Sequence, residues 1–341
     1  MFNLKSSRLG GYRPLKAVAV APGKVILYGE HFVVYNVPAI VMAIDRMVKV
    51  SVSPREDRLL RICSDLGFAC EYDDGDAKPL MGGKKAVAFL EPVRIAARTV
   101  LEHFNEKKGL TIDIHSTIPS SVGLGSSGAV SVATVAAVSK VLGHEISKEQ
   151  IWRLSLQAER YVHVTPSGID PLVSTYGGLL FWRIQDGTKP KKINCDIEIV
   201  VGNTGIQRST GRFVSMVGKK KTKKVEGISQ LMGVMSWISN LALKAFKEMD
   251  IVTLGVLMNM NHELLRIIGV SNESLDRLVE ATRKAGALGS KLTGGGGGGC
   301  MISLTTLSKR AAVCKAIEEN GGQPMIVRKN NAGVKVWIIK N

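Results

Sequence analysis

Aromatic side chains are scarce in this 341-residue chain, where Phe, Trp and Tyr together make up 5%. That excludes a platform on which the bases of a single strand stack in succession. Cysteine is sparse as well. The five that occur, Cys63, Cys70, Cys195, Cys300 and Cys314, are odd in number and form no CxxC. A disulfide framework or a structural zinc site is therefore not expected, and a reducing cytoplasm is the expected compartment. No apolar run approaches the roughly 18–20 residues of a membrane span. Met1 to Lys16 carries charges and glycines but no apolar core of a secretory signal, so none is expected. Acidic residues are outnumbered: 29 Asp and Glu face 46 Lys and Arg, which leaves a formal charge of +17.

What remains is an ordinary globular mix, 45% hydrophobic and 22% charged, long enough for two domains. The positive balance fits a nucleic-acid binder or a basic enzyme for anionic substrates. Basic residues are scattered, apart from the run Lys219-Lys220-Lys221-Thr222-Lys223-Lys224. No zinc-finger spacing or aromatic RNA-binding motif accompanies it, so the run reads as a solvated loop. Net charge by itself bears on solubility and steering, not on activity.

Periodicity predicts strands at Lys16–Ala21, Ala39–Val52, Leu110–Ser116, Leu179–Arg183, Ile197–Val201, Met301–Leu304 and Lys335–Ile339. Helical spacing covers Val87–Phe104, Ala129–Leu142, Trp152–Tyr161, Val225–Met249, Ile251–Ile268, Asn272–Ala285 and Lys309–Asn320. Ser147-Lys148-Glu149-Gln150 has the form of a capping box opening the third of these. Asp73–Lys85 is polar and rich in Gly and Lys, and reads as a loop. Strands and helices interleave without a βαβ rhythm, which favours α+β. The polar stretch Gln185–Lys192 marks a soft boundary, dividing the chain into 1–184 and 185–341.

Three segments carry chemistry. Pro119-Ser120-Ser121-Val122-Gly123-Leu124-Gly125-Ser126-Ser127-Gly128 lies between an expected strand and an expected helix. Its glycines admit an anion close to the backbone, and the helix start offers unpaired N–H groups. It lacks the Gly-Lys-Ser/Thr of a Walker A loop. Lys291-Leu292-Thr293 runs into six glycines, Gly294 to Gly299, with a helix before them and a strand after. So many glycines cost entropy on ordering, so a backbone lying against a phosphate or substrate explains them better than a linker. The third set is ionisable residues on turns: Lys24 beside Pro22-Gly23, Glu30 and His31 after Gly29, Glu159 on the capped helix, and Asp170 after Pro166-Ser167-Gly168-Ile169. A carboxylate at such a turn, with a lysine in reach, is a candidate base near a phosphate site.

In combination these segments resemble the GHMP family of small-molecule kinases. Ala21-Pro22-Gly23-Lys24-Val25-Ile26-Leu27-Tyr28-Gly29-Glu30-His31 resembles its first motif, Pro119 to Gly128 its phosphate loop, and Lys291 to Gly299 its third motif. Order and spacing match, and the resemblance spans about Lys16 to the C-terminus. The pattern is nearest to the branch that phosphorylates mevalonate. It is carried there by Gln157-Ala158-Glu159-Arg160, by Val164 to Asp170, by Ser174 to Gly178, by Asn203 to Thr210 and by Met258 to Leu265. Thr165 departs from the usual Asn, and Gly295 stands where Ala is common.

The resemblance implies an α+β, two-domain kinase. Its N-terminal domain would contain a left-handed βαβ crossover and its C-terminal domain would be ferredoxin-like. The implied reaction is ATP-dependent phosphorylation of the 5-hydroxyl of mevalonate, in isoprenoid biosynthesis. By matching positions, Asp170 would be the general base, and Lys24 would contact both Asp170 and the phosphates. Ser127 and Glu159 would hold Mg²⁺. Pro119, Gly123, Leu124, Gly125, Ser126, Ser127 and Gly128 would wrap the triphosphate. Glu30, His31, Arg208, Thr210, Gly295 and Gly296 would lie on the mevalonate side. There Lys24 and Arg208 are the expected cations, with Glu30 a repelling charge. A cytoplasmic homodimer is expected on the same ground, with no nucleic-acid or membrane partner. A kinase of the same fold acting on phosphomevalonate or a sugar stays open at this point, as does a basic nucleic-acid binder.

Overall fold

The computed structural model describes residues 15–73, 76–120, 122–162, 167–187, 189–206 and 225–339. The N-terminal arm, Thr165, Arg208, Thr210 and the Lys219–Lys224 run lie outside them. Two long strands form the spine: β1 (Lys16–Tyr28) and β2 (Ala39–Arg55), antiparallel with Ala17 opposite Val52. β1 runs past the expected end at Ala21. Register shifts between Pro22 and Lys24 and between Ile26 and Tyr28 absorb the Pro-Gly step, so the strand bulges and continues. β3 (Leu60–Ser64), β4 (Phe68–Asp73) and β5 (Asp76–Met81) follow. β5 corrects the loop expected over Asp73–Lys85. It is an exposed edge strand carrying Pro79, paired to β4 alone among the described strands, so it lacks the alternation that marks a half-buried strand.

α1 (Lys84–His103) leads to β6 (Gly109–Ser116), which is antiparallel to β2 and parallel to β3. α2 (Ser126–Val141) is rich in Ala and Val and buried along its length from Ser131 to Ser139. A helix apolar on all sides belongs in a core. α3 (Lys148–Val162) opens with the expected capping box: Gln150 N donates to Ser147 Oγ at 3.2 Å, and Ser147 N donates to Gln150 Oε1 at 2.9 Å. α4 (Ile169–Tyr176), β7 (Leu179–Trp182) and β8 (Lys191–Ile193) complete this half.

The second half contains β9 (Glu198–Asn203), α5 (Val225–Glu248), α6 (Ile251–Ile267), α7 (Glu273–Lys284) and β10 (Gly289–Leu292). β11 (Cys300–Leu304), α8 (Arg310–Glu319), β12 (Gln323–Arg328) and β13 (Lys335–Ile339) close the chain. The large sheet has the order β13-β1-β2-β6-β3-β4-β5, with β7 on β2 and β8 on β7. β8 and β13 thus pair into the large sheet from beyond residue 185. The small sheet is antiparallel, in the order β10-β11-β9-β12. Its β-α-β-β-α-β sequence is ferredoxin-like, and with the large sheet it makes the expected α+β architecture.

α6 lies on β10 backbone to backbone. A Cβ on Gly289 would meet Gly255 O at 2.1 Å, and one on Gly255 would meet Leu288 C at 2.5 Å. Asn259 Oδ1 accepts from Ser290 N at 2.9 Å across the same seam. This contact sets where the next residues of both elements fall, Asn261 and His262 on α6 and Lys291 on β10. Gly289→Ala is expected to destabilise the fold by about 1–3 kcal/mol, as overpacking does. Urea denaturation measures it, and an unchanged midpoint would mean that helix and strand separate without cost.

Candidate active site

The glycine-rich loop ends at α2 in the way an anion site requires. Gly125 caps the helix with φ 75°, and the first turn presents its N–H groups and positive end. Two glycines there are also required by close approach. A Cβ on Gly125 would meet Lys24 Cγ at 2.6 Å, and one on Gly128 would meet Asp170 Cβ at 2.9 Å. Leu124 O accepts from Lys24 N at 2.8 Å, tying the loop to β1. A cavity of about 250 Å³ opens at this point. Gly123, Gly125, Ser126, Ser127 and Asp170 are among its polar lining, and Leu66, Phe89, Pro92 and Val93 among its apolar lining. Pro119 stands half-buried ahead of the loop and does not line the cavity.

Lys24 Nζ lies 3.0 Å from Asp170 Oδ1, with side chains 3% and 15% exposed. Asp170 sits in the first turn of α4. Ser174 Oγ donates to Pro22 O at 2.8 Å, fastening that helix to β1, and Trp152 Nε1 donates to Gly168 O at 3.0 Å just before it. Glu159, on α3, is buried beside them. Burial first, and then the charge of Asp170, push its carboxyl up to about 8, against a hydrogen bond from Gly168 and the charge of Lys24. Its Oε2 is buried without a partner.

Among the described residues no group of three or more His, Cys, Asp and Glu is placed to hold a metal ion. The orphaned Glu159 oxygen and the Ser127 hydroxyl at the helix start still suit a hard cation that takes its other ligands from phosphate and water.

The opposite wall is built by the first and third motifs together. Thr293 Oγ1 accepts from Ile26 N at 3.0 Å and donates to Ile26 O at 3.0 Å. Gly29 N donates to Asn261 Oδ1 at 3.3 Å, and Tyr28 OH to Leu254 O at 2.7 Å. Glu30 forms an ion pair with Lys291, with side chains 1% and 0% exposed. The lone repelling Glu30 expected from the sequence is therefore corrected: a lysine in the chain opposes its charge. His31 is buried nearby with φ 61°, in the left-handed region. Gly295 and Gly296 are buried in an ordered turn. A Cβ on Gly296 would meet Val270 O at 2.0 Å, and Gly297 N donates to that same oxygen at 2.8 Å.

Sequence reasoning did not single out Lys291, Asn261 or His262. Strand alternation places Lys291 and Thr293 on one face, which is the signal that could have found the lysine. His262 accepts from Leu292 N at 3.4 Å and faces Asp276 at 3.2 Å, and burial holds its ring down to about 4.

Comparison with known proteins fixes the class. The model of the GHMP kinases N terminal domain matches residues 91–178, and that of the GHMP kinases C terminal matches residues 242–323. The fold is thus that of a small-molecule kinase, a family that uses ATP as phosphoryl donor. The mevalonate kinase of Pyrococcus furiosus is 41% identical over 332 residues, covering 94% of this chain and 98% of its own. That of Thermococcus sibiricus is 39% identical over 331 residues, with 94% and 98% covered. The crystal structure of L. major mevalonate kinase in complex with R-mevalonate superposes with a TM-score of 0.77 at 30% identity, covering 92% of this chain and 96% of that one. The chain belongs to the mevalonate kinase family of the GHMP kinases.

The two buried groups leave opposite marks on stability. Glu159 keeps in the fold a proton that the unfolded chain releases above about 4.5, so its contribution falls as pH rises from there to about 8. His262 stays neutral in the fold, so its contribution is lost as pH drops from 6.5 through about 4. Between pH 6.5 and 8 only the first of these two acts. The melting temperature of ligand-free protein is expected to fall across that window, and Glu159→Gln to flatten the fall. An equal fall in the variant would assign the slope to other groups.

Proposed function

We propose that the chain transfers the γ-phosphoryl group of ATP to the 5-hydroxyl of mevalonate. The observation that carries this is the Lys24–Asp170 pair held against the glycine-rich start of α2. The relatives named above supply the acceptor. Asp170 takes the proton of the attacking hydroxyl, a role worth typically about 10²–10⁴-fold. Lys24 pairs with that carboxylate and faces the transferring group. Gly123, Leu124, Gly125, Ser126, Ser127 and Gly128 receive the triphosphate, with Pro119 at the entry. The apolar residues of the cavity lining, Phe89 and Pro92 among them, suit a nucleobase.

Ser127 and Glu159 would hold Mg²⁺, which when bound bridges phosphate oxygens and offsets their charge. His31, Arg208, Thr210, Gly295 and Gly296 are assigned to the acceptor side, with Glu30 held behind them by Lys291. In this reading residues 1–184 and 185–341 are two units, the second lending β8 and β13 to the large sheet. The proposal extends to a cytoplasmic homodimer. Among the described residues no helix is long and apolar enough to cross a membrane.

Asp170→Asn is expected to retain ATP binding and to lose at least about 10² in kcat. A variant that keeps more than about a tenth of kcat would remove Asp170 from the role of base.

Phosphomevalonate is the competing acceptor, and it brings an extra phosphate to the reacting end. Lys24 and Lys291 each already face a carboxylate. Of the cations assigned to the acceptor side by the resemblance, that leaves Arg208 for the single carboxylate common to both acceptors. Mevalonate is therefore expected to be preferred by more than about tenfold in kcat/KM. A tenfold preference for phosphomevalonate would overturn the acceptor and leave the kinase class standing.

A further inference from the structure

Lys291 lies outside the Lys24–Asp170 centre, yet the same stretch of β1 connects them. Its ammonium has three protons and finds three acceptors: Glu30 Oε1, Leu292 O at 2.7 Å and Ile26 O at 3.5 Å. Two of those acceptors, Glu30 and Ile26, belong to the first-motif segment that also carries Lys24. We propose that Lys291 is a positioning residue for phosphoryl transfer. Its ion pair with Glu30 and its contact with Ile26 O fix the bulged end of β1, and thereby hold Lys24 on Asp170. The inference rests on the functional reading above and adds to it a residue from the far side of the fold.

Three observations carry it. First, the β1–β2 ladder shifts register on both sides of Lys24–Ile26, between Pro22 and Lys24 and between Ile26 and Tyr28. The ladder is interrupted on both sides of these three residues, which leaves a short paired stretch between two irregularities. Side chains of the third motif add a constraint there. Thr293 takes both the N–H and the carbonyl of Ile26, and Lys291 shares that carbonyl.

Second, Glu30 is enclosed at 1% exposure and acts electrostatically on both lysines, Lys291 and Lys24. Burial pushes the Glu30 carboxyl up and the Lys291 ammonium down, and each charge opposes that push in the other. Without Lys291, the opposing charge left to the buried carboxylate among the described residues would be Lys24, for which it would compete with Asp170. Third, a small displacement suffices. Transfer depends on reacting groups held within tenths of an ångström, and an error of about 1 Å from a remote change can cost about 10²-fold.

Lys291→Met, Glu30→Gln and the double variant test this on the full-length enzyme, with whichever acceptor alcohol the unaltered protein phosphorylates. That choice separates the two readings. If no acceptor is turned over, the functional reading fails; if one is, the ratios between variants test Lys291 whatever the acceptor. Lys291→Met, confirmed folded by circular dichroism well below its melting temperature, is expected to lose at least about tenfold in kcat, with KM for ATP within about threefold. Removing the second charge is expected to raise both melting temperature and kcat above those of Lys291→Met.

A folded Lys291→Met with unaltered kcat would overturn the proposal, since a purely structural pair would move stability alone. So would a double variant that regains melting temperature while its kcat stays at or below that of Lys291→Met. If Lys291→Met does not fold, the double variant is compared with Glu30→Gln. A lower kcat in the double variant supports the positioning role of the carbonyl contact, and equal kcat overturns it.

Discussion

The Lys24–Asp170 contact forms because the start of α2 has no side chains where the two approach. A methyl group on Gly125 would displace the Lys24 stem, and one on Gly128 would push on Asp170. The glycines of this loop therefore do two jobs. They open backbone N–H groups toward an anion, and they let a lysine from a strand and an aspartate from a helix converge on the same helix end. Every other element of the site is arranged around that convergence. Ser174 fastens α4 to β1, Leu124 fastens the loop to β1, and Trp152 holds the turn before Asp170.

Much of this was legible in the sequence because glycine, proline and capping residues carry local instructions. The Ser147–Gln150 capping box is complete within four residues, and its bonds form as written. The six glycines beginning at Gly294 announced a backbone in close contact. They take left-handed φ at Gly294, Gly296, Gly297 and Gly299, which residues with a Cβ rarely adopt. Strand β10 was missed because Gly289–Leu292 is only four residues long, and the alternation of Lys291 with Thr293 is the one periodic signal it leaves. β5 was hidden by its exposure, since both of its faces meet solvent and the apolar–polar alternation has no cause. The Glu30–Lys291 pair was beyond sequence reading for a different reason. Its members are 261 residues apart, so the pair exists only once the third motif is folded against β1.

The buried charges follow one rule. Lys24 faces Asp170, and Lys291 faces Glu30, so each cation is answered by a carboxylate from another part of the chain. Isolated buried charges are too costly to keep, whereas paired ones are tolerable and fix geometry. The overall charge of +17 does not set the chemistry of the site. Local pairing shapes it, since Lys24 and Lys291 each face a buried carboxylate.

Glu159 is the exception to that pairing. The counter-charge that reaches it is Lys24, which already faces Asp170, so burial and Asp170 together keep its carboxyl protonated to about pH 8. A carboxyl in that condition is poorly solvated, holds a proton it can release, and has one oxygen without a partner. A chain selected only for stability would fill such a place with an apolar residue of the same size. Its place beside Asp170 and the glycine-rich loop fits the proposed role of Glu159 as a metal ligand, in which a divalent cation would take up that oxygen in place of a proton. The cation would then supply the charge that the fold withholds, and the instability of Glu159 in the ligand-free protein would become affinity in the loaded one.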